Sequence, residues 1–130
     1  MPSTNILANL FTTLYNTEDR RKDSCIIFPT SKLAIEVLKT LKNNGYIKGF
    51  EYIEDNRGGK FVVKLFAKIE KCGVVTPRFK VKKDEYNYWE QRYLPSFNRG
   101  ILLVTTNQGV MSHHEAVNKG IGGFLIGYVY

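Results

Sequence analysis

The densest hydrogen-bonding chemistry in this chain lies in one run, Thr105-Thr106-Asn107-Gln108-Gly109. Two hydroxyls and two carboxamides offer donors and acceptors without charge. Such groups match surfaces that display both, such as base edges and 2′-hydroxyls in the shallow groove of folded RNA. The same residue types favour turns, so a plain strand-to-turn junction also accounts for the run. A small enzyme using Thr106 or Glu115 is a third reading. It lacks a base: no His, Lys or Asp stands at a spacing that obviously activates Thr106.

The flanks of the run define how it is held. Gly100-Ile101-Leu102-Leu103-Val104 is apolar and β-rich and reads as a buried strand. Val110-Met111 re-enters the core. Ser112 and Glu115 stand at the spacing of a capping box, in which each side chain satisfies the other's backbone N–H. That predicts a short helix from His113 to about Lys119, with Gly120 as its left-handed stop. Gly122-Gly123 follow, and Phe124 to Tyr130 closes as a strand. The segment reads as a rigid support for a polar tip.

Other reactive residue types do not assemble. His113 and His114 are adjacent, so on a helix they point about 100° apart and cannot form an i, i+4 metal pair. Cys25 and Cys72 are the only cysteines, sit in apolar strand patterns and read as reduced core residues of an intracellular protein. Arg57-Gly58-Gly59-Lys60 lacks the strand–loop–helix context of a phosphate loop and reads as a hairpin turn. Gly120-Ile121-Gly122-Gly123 precedes a strand, which suits a turn in close contact with RNA backbone. The expectation is therefore no enzyme, no cofactor, no metal and no small-molecule substrate.

The rest of the chain must position this segment. Thr4 or Asn5 can cap a first helix, whose stripe is Leu7, Leu10, Phe11 and Leu14, ending near Asn16. Glu18 to Asp23 is wholly charged; Arg20-Arg21-Lys22 is either a solvated loop or a phosphate clamp. A strand from Ser24 to Phe28 is ended by Pro29. Thr30 or Ser31 caps a second helix that buries Ala34, Val37, Leu38 and Leu41 and stops at Asn43-Asn44-Gly45. Ser31-Lys32 at its start is either a cap alone or a phosphate contact, because a helix N-terminus offers free N–H groups. Tyr46 to Ile53 and Phe61 to Phe66 read as strands. The order α-β-α-β-β places two helices over one face of a small sheet.

From Lys71 to Lys83 there are five basic residues and no acidic one. Phe79 and Val81 alternate with Lys80 and Lys82, as on a strand with one dry and one wet face. That face, with Arg78, is either an RNA-backbone stripe or a charged edge that blocks aggregation. Asp84 is expected to cap a further helix, on which Tyr86, Trp89 and Tyr93 recur as packing residues. The fold class is thus α+β: an N-terminal α-β-α-β-β module, residues 1–76, packed directly on a mainly β C-terminal module, residues 77–130, with short helices.

Charge narrows the partners. Nineteen basic against twelve acidic residues give +7, and the excess is +4 before position 77 and +3 after it. A basic excess spread over a folded chain favours polyanions and salt-sensitive contacts, or serves solubility alone. The 43% apolar content is enough to bury a core. No apolar run is long enough to span a bilayer, so no membrane partner is expected. Met1-Pro2-Ser3-Thr4-Asn5 shows no secretory pattern, which leans toward the cytosol.

The ordered set of motifs resembles the eighth small-subunit ribosomal protein family. Gly100, Leu103-Val104, Thr105-Thr106, Gly109, Val110-Met111 and Ala116 stand at the spacing of its signature. Asn5-Ile6-Leu7-Ala8 looks like its opening helix. Ser31-Lys32, Gly45-Tyr46-Ile47, Arg57 with Gly59-Lys60, Cys72-Gly73-Val74, Pro77-Arg78-Phe79 and Leu94-Pro95-Ser96 look like its archaeal and eukaryotic cytosolic branch. The likeness runs nearly end to end.

The resemblance implies a structural constituent of the small ribosomal subunit. It would bind the central domain of small-subunit ribosomal RNA, support assembly and translation, and touch neighbouring subunit proteins. An RNA-binding translational regulator outside the ribosome is the alternative. The location implied is the cytoplasmic small subunit, with an organellar ribosome as the alternative. The expected RNA-binding residues are Thr105, Thr106, Asn107, Gln108, Gly109, Lys119, Gly122, Ser31, Lys32, Arg78 and Lys80. Several positions depart from the family pattern. Bacterial members often carry Ser-Thr-Ser-Lys where this chain has Thr105-Thr106-Asn107-Gln108, which removes a charge from the loop. Val117 replaces a basic or small residue and Asn5 replaces a common Asp. Thr12, Thr13 and Tyr15 stand where basic residues are usual.

Overall fold

The computed structural model describes residues 3–27, 32–54, 56, 59–65, 69–95 and 99–130; at 3–6 and 76–78 it describes the backbone alone. Four helices and seven strands alternate as α1 (Ser3–Asp19), β1 (Ser24–Ile27), α2 (Lys32–Asn43), β2 (Ile47–Ile53), β3 (Lys60–Leu65), β4 (Cys72–Val81), α3 (Tyr86–Tyr93), β5 (Ile101–Thr106), β6 (Gly109–Ser112), α4 (His113–Lys119) and β7 (Gly123–Val129). The strands form two antiparallel sheets, ordered β1-β3-β2 and β4-β7-β5-β6. The α+β class holds. β4 runs through position 76 and pairs with β7 from Cys72 onward, so this stretch belongs to the second sheet.

β5 shows why the layers stack as they do. Ile101 and Leu103 enter one core, and Leu102 and Val104 enter the other. Successive side chains of a strand point to opposite faces, so a continuous apolar run is buried on both. The first core joins α1, α2 and the three-stranded sheet to one face of the four-stranded sheet. The second lies on the opposite face, under Tyr86, Trp89 and Leu94 and under Ala116 of α4. Leu103 is fully buried; Leu103→Ala would leave a cavity costing about 2–5 kcal/mol.

The helices therefore do more than cover the small sheet. α1 packs on β4 as well as β1, and α2 packs on β6 as well as β2. Phe11 of α1 lies against Gly127, where any added Cβ would crowd its ring. The Thr40 hydroxyl of α2 lies 2.9 Å from the Glu36 carbonyl and 3.2 Å from the Val110 carbonyl, with one proton shared between them. That contact fixes β6 against α2.

Local signals formed most boundaries. α2 ends in a Schellman motif: Tyr46 N–H donates to Leu41 O and Gly45 N–H to Lys42 O, with Gly45 at φ 80°. α4 ends likewise, with Ile121 N–H on Ala116 O, Gly120 N–H on Val117 O and Gly120 at φ 67°. Ser112 caps it, its Oγ accepting from Glu115 N–H at 3.3 Å.

Two expectations change. α1 continues past Asn16 to Asp19 because Glu18 has a tertiary partner: its Oε2 accepts from Ile69 N–H at 2.7 Å. Asp84 does not cap α3. Glu85 holds the cap position without a side-chain bond to the helix, and its Oε1 accepts from Lys82 N–H instead. The polar run 105–109 takes the strand-to-turn form of the two readings, as the end of a tight hairpin with Thr106 paired to Gly109. The proposed strand end at Phe28 and the Pro29, Thr30 and Ser31 signals lie outside the described residues. Cys25 and Cys72 are buried free thiols. Burial pushes Cys72 up to about 12, and its Sγ lies 3.4 Å from Phe11 O.

Candidate nucleic-acid interface

The β5–β6 hairpin turns on Asn107 and Gln108, both exposed. Neither has a positive φ; the positive value falls on Gly109, at 104°. Mirror-image hairpin turns need positive φ at the turn residues themselves. This turn instead places its left-handed residue one step later, as in a bulged hairpin with glycine there. The backbone rather than space calls for glycine at 109: a Cβ would meet only Glu36 Oε1, at 3.1 Å, the tip of an exposed side chain that can step aside.

Thr106 is not a free recognition group. Its Oγ1 donates to Gly109 O at 2.9 Å and accepts from Gln108 N–H at 3.1 Å. The hydroxyl staples the turn, and the Asn107 and Gln108 carboxamides stand outward from it. Lys119, at the end of α4, reaches the same place. Its Nζ lies 3.4 Å from Gln108 Oε1 and 3.5 Å from Glu115 Oε1.

Strand register brings in the next residues. Lys80 pairs with Phe124, Phe124 with Thr105, and Thr105 with Val110. Paired residues on adjacent strands project to one face. Lys80, Phe124, Thr105 and Val110 thus form one row across all four strands, at the end of the sheet that carries the tip. Gly122 lies one step beyond. A Cβ there would collide with the Val81 carbonyl, and one at Gly123 would collide with the Thr105 carbonyl. Both glycines let β7 start this close to the backbones of β4 and β5.

Lys80 and Gly122 line a groove of about 500 Å³ with Lys82, Lys83 and Phe124. The alternation foreseen for β4 holds: Phe79 packs on the second core, Val81 is buried, and Lys80 and Lys82 are exposed. β4 is also an edge strand. Thr105, Thr106, Asn107, Gln108, Gly109, Lys119, Gly122 and Lys80 therefore gather at one end of the molecule. Lys32 is exposed at the start of α2, one turn before Glu36, with no described contact to the hairpin. Ser31 and the Arg78 side chain lie outside the described residues.

Phe124 was not singled out from sequence. It is 47% exposed near the start of a mostly buried strand. Only the pairing with Lys80 and Thr105 shows which face it takes. The α3 aromatics are packing residues, as their spacing indicated: Trp89 stacks on Phe79 with centroids 4.8 Å apart, and Tyr86 Oη donates to Ile121 O at 3.0 Å. Among the described residues no cluster of His, Cys, Asp and Glu could hold a metal, and no helix is long and apolar enough to cross a membrane.

Fold and site together define a small basic α+β protein that presents an uncharged hairpin tip with Lys119 and Lys80 at the same end. The family model for ribosomal protein S8 matches residues 5–130, and the chain belongs to that family. Over the full length of both chains it is 74% identical to the small ribosomal subunit protein uS8 of Nitrosopumilus maritimus and 72% identical to that of Cenarchaeum symbiosum. The corresponding protein of Methanoregula boonei is 48% identical over the same span.

Proposed function

We propose that the protein is a structural constituent of the small ribosomal subunit. In this reading it binds the central domain of small-subunit ribosomal RNA and supports assembly and translation. Full-length identity to small-subunit proteins supports the class. The observation that carries the mechanism is the exposed, stapled Asn107-Gln108 tip with Lys119 and Lys80 at the same end of the sheet. Lysines hold phosphates and set register, and the carboxamides read sugars and base edges in a shallow groove. Lys32, Ser31 and Arg78 would extend the phosphate contacts, and the other faces would meet neighbouring subunit proteins. The archaeal relatives point to a cytoplasmic ribosome.

The test is filter binding of the purified protein to a transcript of the central domain at several salt concentrations. Replacing Thr106 and Asn107 together with alanine should weaken binding by about 1–3 kcal/mol, because losing the Thr106 hydroxyl loosens the turn and losing the Asn107 carboxamide leaves its RNA partners unpaired. Unchanged affinity for this double variant would remove the hairpin from the interface.

A further inference from the structure

The groove beside the hairpin has a chemistry of its own. Its rim carries Lys80, Lys82 and Lys83 against one carboxylate, Asp84. Its wall carries the Phe124 ring, 47% exposed, and no other aromatic ring of the described residues packs on that ring. The cross-strand neighbours of Phe124 are Lys80 on one side and Thr105 on the other. Single exposed apolar residues are ordinary. This one lies between a cation and the hairpin strand, in a groove that Gly122 and Gly123 also line.

We infer that this groove is a subsite for one unstacked nucleotide, with its base on the Phe124 ring and its phosphate on the Lys80, Lys82 and Lys83 side. Charge complementarity selects a polyanion. The ring selects a partner with a flat π-face, which an inorganic phosphate or an acidic peptide lacks. Thr105, next to the ring, is one residue from the turn. The flipped nucleotide would therefore adjoin the groove of RNA read by Asn107 and Gln108. This inference rests on the RNA-binding reading above and adds to it a base contact that is tolerant of base identity.

The experiment uses the full chain and the central-domain transcript, with three variants: Phe124→Ala, Phe124→Leu and Phe124→Trp. Thermal melts first establish that each folds as the parent does. Phe124→Ala and Phe124→Leu should each lose about tenfold in affinity, as for one stacked base. Their salt dependence should match the parent's, and Phe124→Trp should retain full affinity. Leucine keeps apolar area and discards the π-face, so a Phe124→Leu protein that binds as the parent does overturns the stacked base. Parent-like binding by Phe124→Ala overturns the subsite altogether. If the Thr106/Asn107 double variant is still weakened in that case, the failure is confined to the groove. If neither set weakens binding, this end of the sheet is not the RNA-binding surface; a parent chain that fails to bind the transcript overturns the RNA-binding reading itself.

Discussion

The Thr106 hydroxyl is closed onto Gly109: Oγ1 donates to the Gly109 carbonyl at 2.9 Å while accepting the Gln108 N–H. Thr106 thus acts as the hinge pin of the tip. A serine keeps both bonds, and an alanine leaves the turn held only by its strand pairing. Thr106→Ser should bind the central-domain transcript within about twofold of the parent. Thr106→Ala should lose about 1 kcal/mol, the usual worth of one such bond. Titrations of the two variants side by side check this, and equal affinities would show that the hydroxyl does not order the tip.

His113 makes stability depend on pH. It is fully buried, and its Nδ1 accepts the Leu102 N–H at 3.0 Å. That leaves the proton on Nε2, which lies 2.8 Å from Glu90 Oε1 but outside hydrogen-bond angles. Burial, together with the nearby His114, lowers His113 to about 4 from the ordinary 6.5. The unfolded chain therefore takes up the proton first. The contribution is complete above pH 6.5 and is lost as pH falls toward 4, by about 3 kcal/mol in all. Urea denaturation at pH 7 and pH 5 should show the loss. His113→Asn keeps an acceptor near Leu102 without titrating, so it should flatten this part of the profile.

Two glycines in one turn should respond differently to alanine. At Gly122 the new Cβ meets the Val81 carbonyl and the Lys82 Cα, backbone atoms that cannot step aside. At Gly120 the space is open, and only the left-handed φ of 67° opposes substitution. Gly122→Ala should cost about 2–3 kcal/mol by overpacking, and Gly120→Ala about 1 kcal/mol by backbone strain. Thermal melts rank the pair. The reverse order would mean that the β4 end is free to move.

Lys80 and Lys119 should act through charge. Replacing either with alanine should weaken RNA binding to a similar degree across sequences. Each should also lower the slope of log affinity against log salt by about one. A mutation that weakens binding at constant slope would mark a contact of another kind, as expected for Phe124.

The α4 helix was legible from its ends because capping is local: Ser112 bonds Glu115 three residues on, and Gly120 tolerates a left-handed turn wherever it stands. The tip was legible for a similar reason, since residues that turn a chain also leave polar groups outward. Glu18 and Asp84 were misjudged because their local signals compete with distant or neighbouring backbone: Ile69 N–H claims Glu18, and Glu85 takes the cap position.

The amino-acid order alone determined the family and the α+β class, from the succession of motifs along the whole chain, the basic excess, from composition, and the residues of the hairpin tip, from local turn chemistry. Tertiary structure decided that Lys80, Phe124 and Thr105 stand in one row and that Lys119 meets Gln108. Register between strands far apart in sequence is set by which faces the two cores bury. That choice is made by the folded chain as a whole and leaves no local mark.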